Sequence, residues 1–124
     1  GIILDKEFVD PTFIDTFKIF NKRKSLDSDW ILFGIEIEDE KLLDTMNNIQ
    51  ENLVAGKPFY AHLYNNDRLI IIFKQKIFDV TKNESTWSDF IEYGKTLGIP
   101  KEQLKVAPIR FEDEHNYFNL KKLF

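Results

Sequence analysis

The sequence predicts an α+β domain of ferredoxin-like class: a βαββαβ antiparallel sheet with two helices on one face, plus an N-terminal helical extension. Three observations carry this. Residues 30–38, "WILFGIEIE", alternate as a strand does; "YNNDR" at 64–68 is a tight-turn signal between two apolar runs; and residues 39–54 and 85–97 space their apolar residues as helices do. The order strand, helix, strand, strand, helix, strand is the split βαβ arrangement, and right-handed crossovers place its helices together.

Ahead of this unit, "DPTFIDTFKIFNKRK" offers Asp10 as an N-cap and Pro11 at the first helical position, with Phe13, Ile14, Phe17 and Phe20 at helical spacing. A helix from about 11 to 21 is expected, since a strand would put Asp15 on the face of Phe13 and Phe17. The polar connector "NKRKSLDSD" follows. In the first strand Ile31, Phe33, Ile35 and Ile37 take one side, and Trp30, Leu32, Gly34, Glu36 and Glu38 the other. Asp39 and Glu40 open a helix with the stripe Leu42, Met46, Ile49 and Leu53, supported by Leu43 and Val54 and stopped by Gly56 and Pro58.

"PFYAHLYNNDRLIIIFKQKIFDV" reads as two strands joined around Asn65, Asn66 and Asp67, residue types at home in turns. Ser85 or Thr86 is placed to cap the next helix, with Asp89 completing a capping box after Thr86. That helix presents Trp87, Phe90, Ile91 and Leu97 and ends at Gly98-Ile99-Pro100. Gly94, on the same stripe, permits close approach of helix to sheet. A last strand near 104 to 111 is broken or at an edge because of Pro108.

A chain of 124 residues holds one core without staples, so one domain is expected: an extension over 1–29, the ferredoxin-like unit over 30–111 and a charged, aromatic tail over 112–124. Charged residues make up 31% of the chain against 43% hydrophobic, a balance that predicts ordered globular structure rather than disorder. The net charge of −4 opposes nucleic acid and anionic membrane, and the absence of cysteine removes disulfides, thiolate nucleophiles and cysteine metal sites. "GIIL" stops at Asp5, far short of the roughly twenty apolar residues that span a bilayer, so a cytoplasmic, membrane-free protein is the default expectation.

Alternation also predicts a second apolar sheet face. If Ile31, Phe33, Ile35, Phe59, Ala61, Leu63, Ile70 and Ile72 meet the helices, then Trp30, Leu32, Tyr60, His62, Tyr64, Leu69, Ile71 and Phe73 lie opposite. Such a face exceeds what monomers leave in water. The first helix could cover it, a second copy or protein partner could, or a small molecule could lie between that helix and the sheet, with Tyr60, His62 and Tyr64 as polar tips. Trp30, Leu32, Tyr60, His62, Tyr64, Ile71 and Phe73 are the candidate ligand or partner face.

Motifs for chemistry are sparse. In "RFEDEHNYF", 110–118, Glu112, Glu114 and His115 are weak metal candidates: only the two glutamates share a face of an extended chain, and a solvated run is the plainer reading. His62, between two tyrosines, is the one candidate acid or base, and no nucleophile elbow, phosphate loop or dinucleotide fingerprint occurs. Lys22, Arg23 and Lys24 with Trp30, Tyr60, Tyr64 and Phe73 hint at RNA stacking, opposed by Glu36, Glu38 and the net charge. The expectation is a non-catalytic binding or assembly module with no cofactor. The rival is a small metabolite-binding protein or enzyme using His62, or Glu112 with His115.

Overall fold

Among the described residues, six antiparallel strands, β1 (Ile2–Leu4), β2 (Lys18–Lys24), β3 (Ile31–Glu36), β4 (Tyr60–Tyr64), β5 (Arg68–Phe73) and β6 (Ile77–Thr81), form one sheet in the order β2-β3-β1-β4-β5-β6. Two helices of the described residues, α1 (Leu42–Asn52) and α2 (Ser88–Thr96), pack on it. The structure is a computed structural model and describes residues 1–24, 29–65, 67–100 and 104. The α+β class holds, and the crossover β3–α1–β4 followed by a hairpin and a second helix is consistent with an extended ferredoxin-like topology. The gap between β3 and β4 is filled by β1, so the hairpin runs outward to β5 and β6.

The hairpin turn forms where it was expected. Asn65 Oδ1 accepts from the Asp67 and Arg68 backbone N–H groups at 3.0 and 2.8 Å, a side chain standing in for backbone. Its register pairs Tyr60 with Phe73, His62 with Ile71 and Tyr64 with Leu69, the facing pattern that alternation required. The apolar run then turns once more. Phe73 N donates to Lys76 O at 2.8 Å, and β6 pairs Ile71 with Phe78 and Leu69 with Val80, so two expected strands are three.

The largest departure is at the N-terminal extension. Residues Pro11–Thr16 form a 3-10 turn, capped by Asp10, which accepts from Thr12 N at 2.9 Å. Phe17 is already extended, and Lys18–Lys24 become β2 instead of completing a helix. The backbone of β3 decides this: pairing its outer edge satisfies donors and acceptors that a helix lying across the sheet would leave to water. A register shift between Ile19 and Asn21 bulges β2 at Phe20, which hides the strand's period from the sequence. Lys22, Arg23 and Lys24 thus lie in a strand rather than a loop, with Arg23 buried and the two lysines exposed.

Two cores result. Ile49 of α1 and Leu53 just after it, with Ile3, Phe8 and Ile14, cover Ile35, Ala61, Leu63, Ile70 and Ile72. Trp87 and Phe90, with Ile99 and Leu104, cover Leu69, Ile71, Phe73, Phe78 and Val80. Residues 69, 71 and 73 alternate with 70 and 72 along β5, so the two clusters lie on opposite sides of the strand. Helix α1 contributes to the first cluster, and α2 to the second, on the second apolar face. The reason is that β6 extends that face at the sheet edge, and Trp87, directly after the 3-10 turn Glu84–Thr86, is drawn onto it.

Helix ends follow mostly expected chemistry. Asn83 caps the 3-10 turn ahead of α2, its Oδ1 accepting from Ser85 N at 3.0 Å; Thr86 spends its hydroxyl on the Asn83 carbonyl, and α2 itself starts after Trp87 without a side-chain cap. Gly98, at φ +85°, terminates α2, with Ile99 N bonded to Gly94 O. Leu43 and Leu97, expected on buried stripes, are 69% and 38% exposed, one position out of phase with the packed faces. Gly94 does accommodate a close neighbour, but the neighbour is Leu104 and not the sheet: a Cβ there would lie 2.6 Å from Leu104 Cδ2. Leu104 is helical, and the rest of the expected strand at 104 to 111 lies outside the described residues, as does the tail with Glu112, Glu114 and His115.

Candidate functional site

Strand β4 positions the part of the second face that α2 leaves at its margin. Tyr60, His62 and Tyr64 alternate outward on one side because Ala61 and Leu63 are claimed by the α1 core. Their rings run in a row, with centroids 6.5 Å apart from Tyr60 to His62 and 6.4 Å from His62 to Tyr64. Tyr60 also lies 5.5 Å from Phe73, and both tyrosines pack against the α2 cluster. The result is a partly exposed aromatic row with apolar core behind it.

The other candidate residues divide. Ile71 and Phe73 are 0% exposed, which makes them interior to the α2 layer and not a surface. Leu32 is half-buried on β3, opposite Leu4 of β1. Trp30 meets Phe59 at 5.4 Å, beyond the end of β1, and Phe59 packs with the α1 core. The structure brings Tyr60, His62 and Tyr64 together and sets Trp30 against Phe59.

Burial pushes the His62 imidazole down to about 3, and the nearby Gly1 amino group acts in the same direction. The ring is neutral at neutral pH. No hydrogen bond joins it to a carboxylate or hydroxyl among the described residues, so nothing there orients it as a base for a nucleophile. No group of three or more metal-ligating side chains occurs among the described residues either. No helix among them is long and apolar enough to cross a membrane.

A concave feature lies on the α1 side, whereas the small-molecule site weighed from the sequence lay between the first helix and the face of Tyr60, His62 and Tyr64. A groove of about 1110 Å³ runs between the 3-10 turn, the end of β3 and the exposed flank of α1. Its floor is Phe13, Phe17, Ile35, Leu63 and Ile70; its rim carries Thr45, Asn48 and charges of both signs. Lys18 pairs with Glu36 at 2.8 Å and Lys41 with Glu38 at 3.8 Å, so much of the rim charge is neutralised locally. Of the candidate face only Tyr64 reaches this groove, and His62 does not. The apolar signal was present in Phe13, Phe17 and Ile35, but a groove appears only once residues 18–24 are a strand beside β3.

No protein-family model matches the chain, and neither the curated proteins nor the solved structures contain a match.

Proposed function

We propose that the chain is a non-catalytic assembly module that pairs with a second copy of itself through the Tyr60, His62 and Tyr64 row. The observation that supports this is the row itself: three rings at even spacing, partly exposed, on a rigid central strand whose other side is core. Ring rows on a flat strand are self-complementary about a twofold axis, and a neutral imidazole adds no charge that a buried interface would have to desolvate. Size-exclusion chromatography with light scattering between about 1 and 100 µM tests it. A concentration-dependent dimer lost in Tyr60→Ser with Tyr64→Ser is expected; a strict monomer over that range sinks the reading.

A metabolite-binding role is the second reading, and the α1-side groove is the observation that favours it. That groove has an apolar floor and polar rim of the kind small ligands use, though it is built without His62. Native mass spectrometry of the protein as purified separates the two, through a bound small mass or a doubled chain mass.

A further inference from the structure

Residues 5–9 form a strap between β1 and the 3-10 turn. Its backbone is tied to the end of α1 by Val54 N to Glu7 O and Val9 N to Asn52 O, both 2.8 Å, with Phe8 bridged to Leu53. Asp5 ties its other end to β3, exchanging bonds with Ile31 at 3.1 and 3.0 Å. In the middle sits Glu7, 0% exposed. Its Oε1 accepts from Leu4 N at 2.9 Å, and its Oε2 is enclosed with no hydrogen-bond partner among the described residues. A carboxylate in that position would be a buried charge without a counterion, the costliest group a core can hold.

We propose that Glu7 is a proton-operated latch: as a neutral acid it lets the strap dock on the end of α1, and its ionisation releases the strap and the groove wall attached to it. The attachment is a chain of rings. Phe8 lies edge-on to Phe13 at 4.9 Å and Phe13 edge-on to Phe17 at 5.2 Å, and Phe13 and Phe17 form part of the groove floor.

Among the described residues, the charges around the strap leave the acid uncompensated. Burial holds the Glu7 carboxyl well above the usual range, the Leu4 N–H opposes this, and the charge of Asp5 on the same strap reinforces it. From α1 comes no cation: its last turn has no basic residue, and Glu51 there has the same sign. The Lys74 ammonium beside that turn is engaged on the Gln50 and Glu51 carbonyls at 3.2 and 2.7 Å. Lys6, next in sequence, is exposed. The sign follows from linkage: an acid whose folded pKa is raised contributes its stability in full below 4.5 and loses it as pH rises toward the folded value.

Native-state hydrogen exchange of the whole chain by NMR, from about pH 4 to 8 with intrinsic rates divided out, tests the latch. The opening constants of the Val9 and Val54 amides are expected to rise about tenfold per pH unit across part of that window, while Ile71 and Ile72 stay protected. In Glu7→Gln they stay level. The same slope in Glu7→Gln, or strap and β5 opening together, overturns the proposal. Should Glu7→Gln not fold, the wild-type side-chain carboxyl resonance decides: titration above 4.5 supports the latch, and titration at or below it overturns it.

Discussion

Trp87 donates its indole N–H to the Thr81 carbonyl across 2.8 Å, joining the start of α2 to the end of β6. The indole is 3% exposed and lies tilted against the Phe90 ring with centroids 6.0 Å apart. One side chain therefore both fixes the chain's turn onto the second sheet face and fills the core formed there.

Trp87→Ala removes both roles and is expected to cost about 3–5 kcal/mol, read as a lower midpoint in urea unfolding. Trp87→Phe keeps much of the packing but leaves the Thr81 carbonyl without its short donor, since the Thr86 hydroxyl, 3.5 Å away, is given to the Asn83 carbonyl at 2.7 Å. Its cost should be smaller, about 1–3 kcal/mol. Equal losses in the two variants would mean that the indole hydrogen bond, not burial, fixes α2.

Gly94→Ala sets two effects against each other. Alanine gains about 1 kcal/mol of helix propensity over glycine, but its Cβ would meet the Leu104 methyls at 2.6 and 2.7 Å, and Leu104 is 0% exposed. Overpacking at a buried site costs about 1–3 kcal/mol, so a net loss is expected. Combining Gly94→Ala with Leu104→Ala should cost less than the sum of the two single variants, because the new methyl enters the space the leucine leaves. Strict additivity in that cycle would show that the two residues do not touch.

How much of this could be read from the sequence depended on whether the signal was local. The turn at Asn65 and the alternation of 60–64 against 69–73 need only neighbouring residues, and the register confirms them. The strand at Lys18–Lys24 was hidden, because Phe13, Phe17 and Phe20 imitate a helix and the bulge at Phe20 breaks the period. Two faces on the 69–73 strand were legible; which element covers the second was not, since Trp87 and Phe90 fit a helix against either side. That ambiguity turned Ile71 and Phe73 from candidate surface into core. Glu7 gave no signal at all, since burial of a lone acid depends on how residues 5–9 meet the end of α1.

Asn65→Ala removes an acceptor that serves two backbone N–H groups at 3.0 and 2.8 Å, both exposed and so able to turn to water. A loss of about 1 kcal/mol is expected, with an unchanged slope of unfolding free energy against urea. A loss of several kcal/mol would imply that the turn sets the register of the whole hairpin.

Stability should pass through a maximum set by two groups of opposite sense. His62 has its folded pKa at about 3, below the ordinary 6.5, so the unfolded chain binds more protons than the folded one between those values. Stability from the neutral ring is complete above 6.5 and falls as pH drops toward 3. Each pH unit within the window is worth at most about 1.4 kcal/mol, and the ring's partial exposure lowers this, so a total of about 1–3 kcal/mol is expected. Glu7 runs the other way, losing stability as pH rises above 4.5, and the two slopes oppose each other between 4.5 and 6.5. Urea unfolding from pH 3 to 8 should therefore show His62→Gln flattening the acid limb and Glu7→Gln flattening the opposite one. An acid limb unchanged in His62→Gln would assign it to carboxylates and refute the lowered pKa of the imidazole on β4.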